Sequence, residues 1–205
     1  MVDYFDPLSY ENLGASIARA LEERPIMSLA HIEPFDGAGI YALYYTGSHV
    51  AYEPLSRQNS LVAGTWAIYI GKAEAENARK GDPDQAHLAV GPKLFNRIRG
   101  HKRSIEAATN LDVRDFQVRA LTIAPTWIPL AEVVAIRLHN PVWNVIVDGL
   151  GNHDPGSGRY AGMRPRWDTI HPGRKWADKL QARTESASDI EQEAIEYLRS
   201  RSLKP

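Results

Sequence analysis

Residues 39–46 read GIYALYYT, and residues 66–71 read WAIYIG. Each run mixes small, β-branched and aromatic apolar residues without a charge, which is the composition of a buried strand. Gly47 and Ser48 punctuate the first, and the second stops at Gly71. A polar stretch with Pro54 lies between them, and the two read as a hairpin-like pair.

Working outward, Leu13, Ile17, Ala20 and Leu21 follow helical spacing from about Glu11 to Glu23, with Pro25 marking the end. Residues 72–92, rich in Ala, Asp, Gly and Pro, read as a loop or a short helix. Residues 93–108 give the clearest helix, with Leu94, Ile98, Ile105 and Ala108 as its apolar stripe. Arg97, His101 and Ser104 share another face, because positions three and four apart are neighbours. Residues 115–123 alternate as a third strand. Pro129 opens a helix that Asn140-Pro141 stops, and VWNVIV is an apolar run over residues 142–147. A Gly-rich loop follows, then a short helix after His171-Pro172. Ser188 and Glu191 have the spacing of a capping box for a last helix. Strands and helices mix without a βαβ repeat. The expected class is α+β, with a small, largely antiparallel central sheet flanked by helices and with terminal elaborations.

The 205 residues include no cysteine, which excludes disulfide scaffolds, cysteine metal sites and thiol nucleophiles, and fits a cytoplasmic protein. A chain of this size buries about 70 % of its surface on folding, enough for one sizeable core. No apolar run approaches the roughly 18 residues of a membrane span. The N-terminus is acidic and polar, unlike a secretory signal. The net charge of −1 hides a pattern. Residues 1–36 carry 2 basic and 7 acidic side chains, residues 37–183 carry 19 and 13, and residues 184–205 carry 3 and 5. A basic middle between acidic ends suits a phosphate-rich partner. The expected division is an N-terminal helical extension over 1–36, a central domain with recognition loops over 37–183, and a C-terminal helix over 184–205.

Several chemistries fail on spacing. Gly71-Lys72 is followed by Ala73, and Trp66 stands where a phosphate loop needs glycine. No G-x-S-x-G elbow exists. None of the seven histidines lies within five residues of another, so there is no local zinc pair. Val133 and Val134 follow Glu132, which removes an acid–acid–lysine nuclease motif.

One ordered set survives: Gly39-Ile40-Tyr41, Tyr69-Ile70-Gly71, then Arg97 and His101, then Glu132, then Asn144. With this set the chain resembles the GIY-YIG nuclease superfamily over about residues 37–147. VWNVIVDGLGNHDPGSGRY and IHPGRKWA extend the likeness to about residue 180. They are similar to type II restriction endonucleases of the branch that cuts CCGCGG, the SacII isoschizomers. Bland readings stand beside this one: Tyr41 and Tyr69 as core tyrosines, Arg97 and His101 as a solvated helix face, Asn144 as a hydrogen-bonded core amide.

The resemblance implies hydrolysis of DNA phosphodiesters, with Tyr41, Tyr69, Arg97, His101, Glu132 and Asn144 as the catalytic set. Glu132 would hold a single Mg²⁺ or Mn²⁺, since one carboxylate leaves most octahedral positions to water and DNA oxygens. Arg97 would clamp the non-bridging oxygens. Tyr41 would be the general base, its phenol lowered from near pH 10 by neighbouring cations and its proton accepted by His101. Tyr69 would orient water or phosphate, and Asn144 would bond DNA or a metal-held water. Five cations and no acid fall within residues 91–103, and seven cations and two acids within residues 159–183. Expected DNA contacts are Lys72, Lys93, Arg99, Lys102, Arg103, Asn152, Arg159, Arg164, Arg166 and Arg174, arginine to guanine being the commonest specific contact. A GC-rich palindrome would call for a homodimer, and a restriction enzyme for a partner DNA methyltransferase. The alternatives are a repair or mobile-element nuclease that nicks, which the short chain without an appended DNA-binding domain disfavours, and a non-catalytic DNA-binding module.

Overall fold

A computed structural model describes residues 9–74 and 91–202. In chain order the elements are α1 (Tyr10–Glu22), β1 (Met27–Ser28), β2 (Gly39–Tyr45), α2 (Glu53–Leu61), β3 (Ala67–Ala73) and α3 (Lys93–Ala107). There follow β4 (Phe116–Thr122), α4 (Ile128–His139), α5 (Val142–Val145), α6 (Arg166–Ile170) and α7 (Ala187–Ser202). The four strands form one antiparallel sheet in the order β1-β4-β2-β3, so the expected α+β class holds. Most of the 72–92 stretch lies outside the described residues.

Alternation along β2 divides the molecule into two layers. Ile40, Ala42 and Tyr44 face α1 and α4, where Leu21, Ala131 and Ala135 complete a small core. Tyr41, Leu43 and Tyr45 face the larger core, with Leu94 and Ile98 of α3, Trp143, Trp167 and Ile190. A register shift in the β2–β3 ladder pairs Leu43 with Tyr69 but Tyr44 with Ala67. One extra residue is thereby taken up on β3. Ala67 and Tyr69 would otherwise share a face; the bulge turns Tyr69 to the side of Tyr41. β3 also runs past Gly71, because Lys72 pairs with Ile40 and Ala73 with Gly39.

The glycines of the two tripeptides have separate steric causes. A Cβ at Gly39 would stand 2.0 Å from the Leu121 carbonyl oxygen on β4. A Cβ at Gly71 would stand 2.4 Å from the Tyr41 hydroxyl and 2.9 Å from the Tyr69 ring, so both tyrosines lie over bare backbone.

Four local expectations need correction. The polar stretch with Pro54 is the helix α2, because proline in a first turn starts a helix rather than breaking one. His101 does not share a solvated face. It continues the buried stripe of Leu94, Ile98 and Ile105 and is 2 % exposed. The short helix near His171-Pro172 precedes that pair as α6, while a single 3₁₀ turn at Ala177–Lys179 follows it. The capping box sits two residues earlier than Ser188 and Glu191. Ser186 Oγ accepts from Asp189 N at 3.1 Å, and Asp189 Oδ2 accepts from Ser186 N at 3.0 Å.

Candidate active site

β3 is an edge strand, and the site is assembled around it. From the larger core, Tyr41 is fully buried and its hydroxyl shares a hydrogen bond with His101 Nε2 at 2.5 Å. The Tyr69 ring lies 6.1 Å from the Tyr41 ring and 5.1 Å from the His101 ring. Arg97, one turn before His101 on α3, donates through Nη1 to His153 Nε2 at 2.9 Å and through Nη2 to the Gly151 carbonyl at 3.3 Å. From the opposite layer, Glu132 of α4 reaches the strand and pairs with Lys72 at 3.2 Å, and Lys72 also pairs with Glu74 at 2.9 Å. These groups flank an open cleft of about 500 Å³ lined by Lys72, Glu74, Lys93, Arg97, His101 and His153.

Burial dominates the proton affinities. It raises the Tyr41 phenol well above 10; the nearby Tyr69 adds to the rise, and the Arg97 guanidinium opposes it. Burial likewise raises Tyr69 against the pull of Arg97. It lowers His101 to about 3, helped by the positive charge of Arg97. The expected lowering of Tyr41 and near-neutral titration of His101 are therefore reversed in the free protein. Both groups are uncharged at neutral pH.

Asn144 is engaged elsewhere than at a reacting group. Its Oδ1 accepts from Ile70 N and its Nδ2 donates to Ile70 O, both at 2.8 Å. The carboxamide thus acts as one residue of a missing fifth strand and closes the outer edge of β3 between Tyr69 and Gly71.

The remaining cations separate into two groups. Arg99, Arg103 and Arg159 are exposed, as is the neutral Asn152, and Lys93 lines the cleft. Lys102 points away and donates to the Ala30 carbonyl. In the 159–183 segment three arginines are held internally, which corrects their expected availability to DNA. Arg164 donates to Ala177 O at 3.0 Å. Arg166 donates to Ile146 O at 2.7 Å and pairs with Glu185 and Glu193. Arg174 is 5 % exposed and clamps Asp168 through Nε and Nη2 at 2.6 and 2.5 Å. Gly151, His153 and Glu74 belong to the site and were not singled out by sequence. The first two lie in the Gly-rich loop, whose composition signals a turn rather than a contact with Arg97.

The donor set fits a hard divalent cation. Glu132 is 23 % exposed beside the cleft-lining Lys72, and among the described residues no three His, Cys, Asp or Glu side chains cluster. A cation that keeps most of its water shell needs no more than one or two carboxylates. No helix among the described residues is long and apolar enough to cross a membrane.

Comparison with known proteins agrees with this geometry. None of the curated proteins matches the chain. A sequence model of the Eco29kI GIY-YIG domain matches residues 33–198, which takes in both tripeptides, the α3 pair, Glu132, the loop that holds Arg97 and most of α7. The chain therefore belongs to the Eco29kI GIY-YIG family and is a DNA-binding restriction endonuclease.

Proposed function

We propose that the chain is a type II restriction endonuclease that cuts both strands of a short GC-rich palindrome as a homodimer, alongside a cognate DNA methyltransferase. The observation that carries the reading is the meeting of two layers at β3. A Tyr–His pair and an arginine come from one side, and a carboxylate paired with the cleft-lining Lys72 comes from the other.

In this reading Arg97 binds the non-bridging oxygens of the scissile phosphate. That neutralises one of the charges that keep His101 a weak base. The attacking water gives its proton to Tyr41 Oη as the Tyr41 proton passes to His101 Nε2, so the phenol need not ionise beforehand. Tyr69 orients the water, and the departing sugar oxygen takes a proton from the solvent-open cleft. Glu132, with Lys72 beside it, would hold Mg²⁺ or Mn²⁺, which supplies charge neutralisation at the phosphate.

The test is plasmid DNA with and without Mg²⁺. Discrete fragments are expected. A relaxed circle would place the chain with the nicking nucleases, and a shifted but intact plasmid would make it a binding module. Glu132→Ala is expected to abolish cleavage while keeping DNA binding; wild-type cutting by that variant overturns the carboxylate's role.

A further inference from the structure

Arg97 is held by a loop that is itself held. Two of its acceptors, Gly151 O and His153 Nε2, belong to the segment 149–153, and the guanidinium also meets the hydroxyls of Tyr41 and Tyr69. A Cβ at Gly151 would stand 3.0 Å from Arg97 Nη2 and 3.2 Å from the Tyr69 hydroxyl, so the backbone passes as close to both groups as glycine allows. Arg174 anchors the same segment from below. It donates to Gly149 O at 2.9 Å, Leu150 O at 3.0 Å and Asn152 O at 3.1 Å. Its own position is fixed by the Asp168 carboxylate and by the rings of Trp167 and Trp176, 4.5 and 4.7 Å from the guanidinium carbon. A buried charge with this many partners is a rigid post rather than a mobile contact.

His153 differs from the rest of this scaffold. It is exposed to the cleft, and its Nε2 lone pair ends on a guanidinium nitrogen that a phosphate would also seek. A free arginine side chain samples many rotamers. Holding its fork in place before DNA arrives removes that disorder from the reacting complex, which is the basis of preorganised catalysis. Accepting from Arg97 requires the His153 proton to sit on Nδ1.

We propose that His153 is a positioning residue for Arg97, keeping the guanidinium aimed into the cleft from a loop that Arg174 fixes. The inference rests on the nuclease reading for what Arg97 then does, but the pairing is a property of the DNA-free chain.

Two measurements on the full chain test it. Long-range ¹H–¹⁵N NMR without DNA is expected to find His153 protonated on Nδ1, a preference lost in Arg97→Ala. Single-turnover cleavage and DNA affinity are then compared for the wild type, His153→Ala and His153→Gln. The alanine variant is expected to bind DNA as the wild type does and to cleave about 10²-fold more slowly. Glutamine, whose Oε1 can accept, is expected to recover most of the rate. The proposal is overturned if His153 carries its proton on Nε2 or if His153→Ala cleaves at the wild-type rate. It is equally overturned if affinity and rate fall together, which marks a DNA contact, or if both variants lose rate alike with a lowered Tm, which marks a purely structural role. A wild type that cuts no DNA while His153 keeps the Nδ1 proton overturns the nuclease reading and leaves the positioning supported.

Discussion

In the proposed mechanism Tyr41 acts as a base through its connection to His101 rather than by ionising first. Burial raises its phenol well above 10 and lowers His101 to about 3, so the pair is neutral across the physiological range. If catalysis required preformed phenolate, the rate would climb about tenfold per pH unit up to the phenol's pKa. With transfer through the 2.5 Å bond to His101, kcat/KM is expected to change by no more than about threefold between pH 6.5 and 9. No acid limb is expected near 6.5, because His101 stays deprotonated far below it. Single-turnover cleavage across that range checks this, and a unit slope in log rate against pH would show that Tyr41 ionises first. The identity of Tyr41, Tyr69, Arg97, His101 and Glu132 was legible in the sequence, since tripeptides and their order survive without coordinates. Their protonation was not. Burial sets it, and the alternation of β2 and the stripe of α3 leave the depth of each group unstated.

At the scale of elements, β3 is the part on which the site depends. An edge strand has one row of peptide groups with no ladder partner. Here Asn144 satisfies that row at Ile70, between the tyrosine and the glycine of the second tripeptide. Asn144→Ala leaves the Ile70 N–H and C=O to whatever water can reach them, and is expected to cost about 1–3 kcal/mol of stability. It is also expected to lower the cleavage rate more than DNA affinity, because Tyr69 and Lys72 flank the freed position on opposite faces of the strand. Urea unfolding and single-turnover rates measure the two effects; a loss of affinity without a loss of rate would return Asn144 to the DNA surface. β2, β3, β4, α1, α3 and α4 were legible from periodicity and from proline and asparagine stops, whereas the two-residue β1 was too short to leave a pattern. The bulge that turns Tyr69 was not, because a one-residue register shift leaves no mark in composition. α2 was hidden for a different reason: its Asn59 is spent on Tyr45 O, Trp66 O and Trp66 N, so a buried polar residue passes for loop chemistry.

For the molecule as a whole, the regional charge count pointed to a basic middle but overstated how much of it is free. The acidic C-terminal segment supplies counter-ions to the basic segment before it: Glu185 and Glu193 to Arg166, and Glu185 to Arg183. Asp168 takes Arg174 in the same way from within the segment. Sequence distance conceals the Arg166–Glu193 pair, which forms only when α7 packs back against α6. Among the described residues, the exposed part of α3, the cleft mouth and Arg159 on the loop beyond His153 are cationic surface that is not tied up in this way. A cation that meets a phosphate adds about 0.9 to the slope of log affinity against log salt, and one already paired inside the protein adds nothing. Arg159→Ala is expected to shallow that slope by about 1 per protomer. Arg166→Ala is expected to lower stability, by leaving Glu193 and the Ile146 carbonyl without their partner, and to leave the slope unchanged. DNA-binding titrations over a range of salt concentrations with both variants decide it. Equal slope changes would mean that α7 releases Arg166 when DNA binds. An unchanged slope in Arg159→Ala with relaxed cutting of altered sites would move Arg159 from the phosphates to a base edge, where an arginine contributes discrimination rather than counter-ion release.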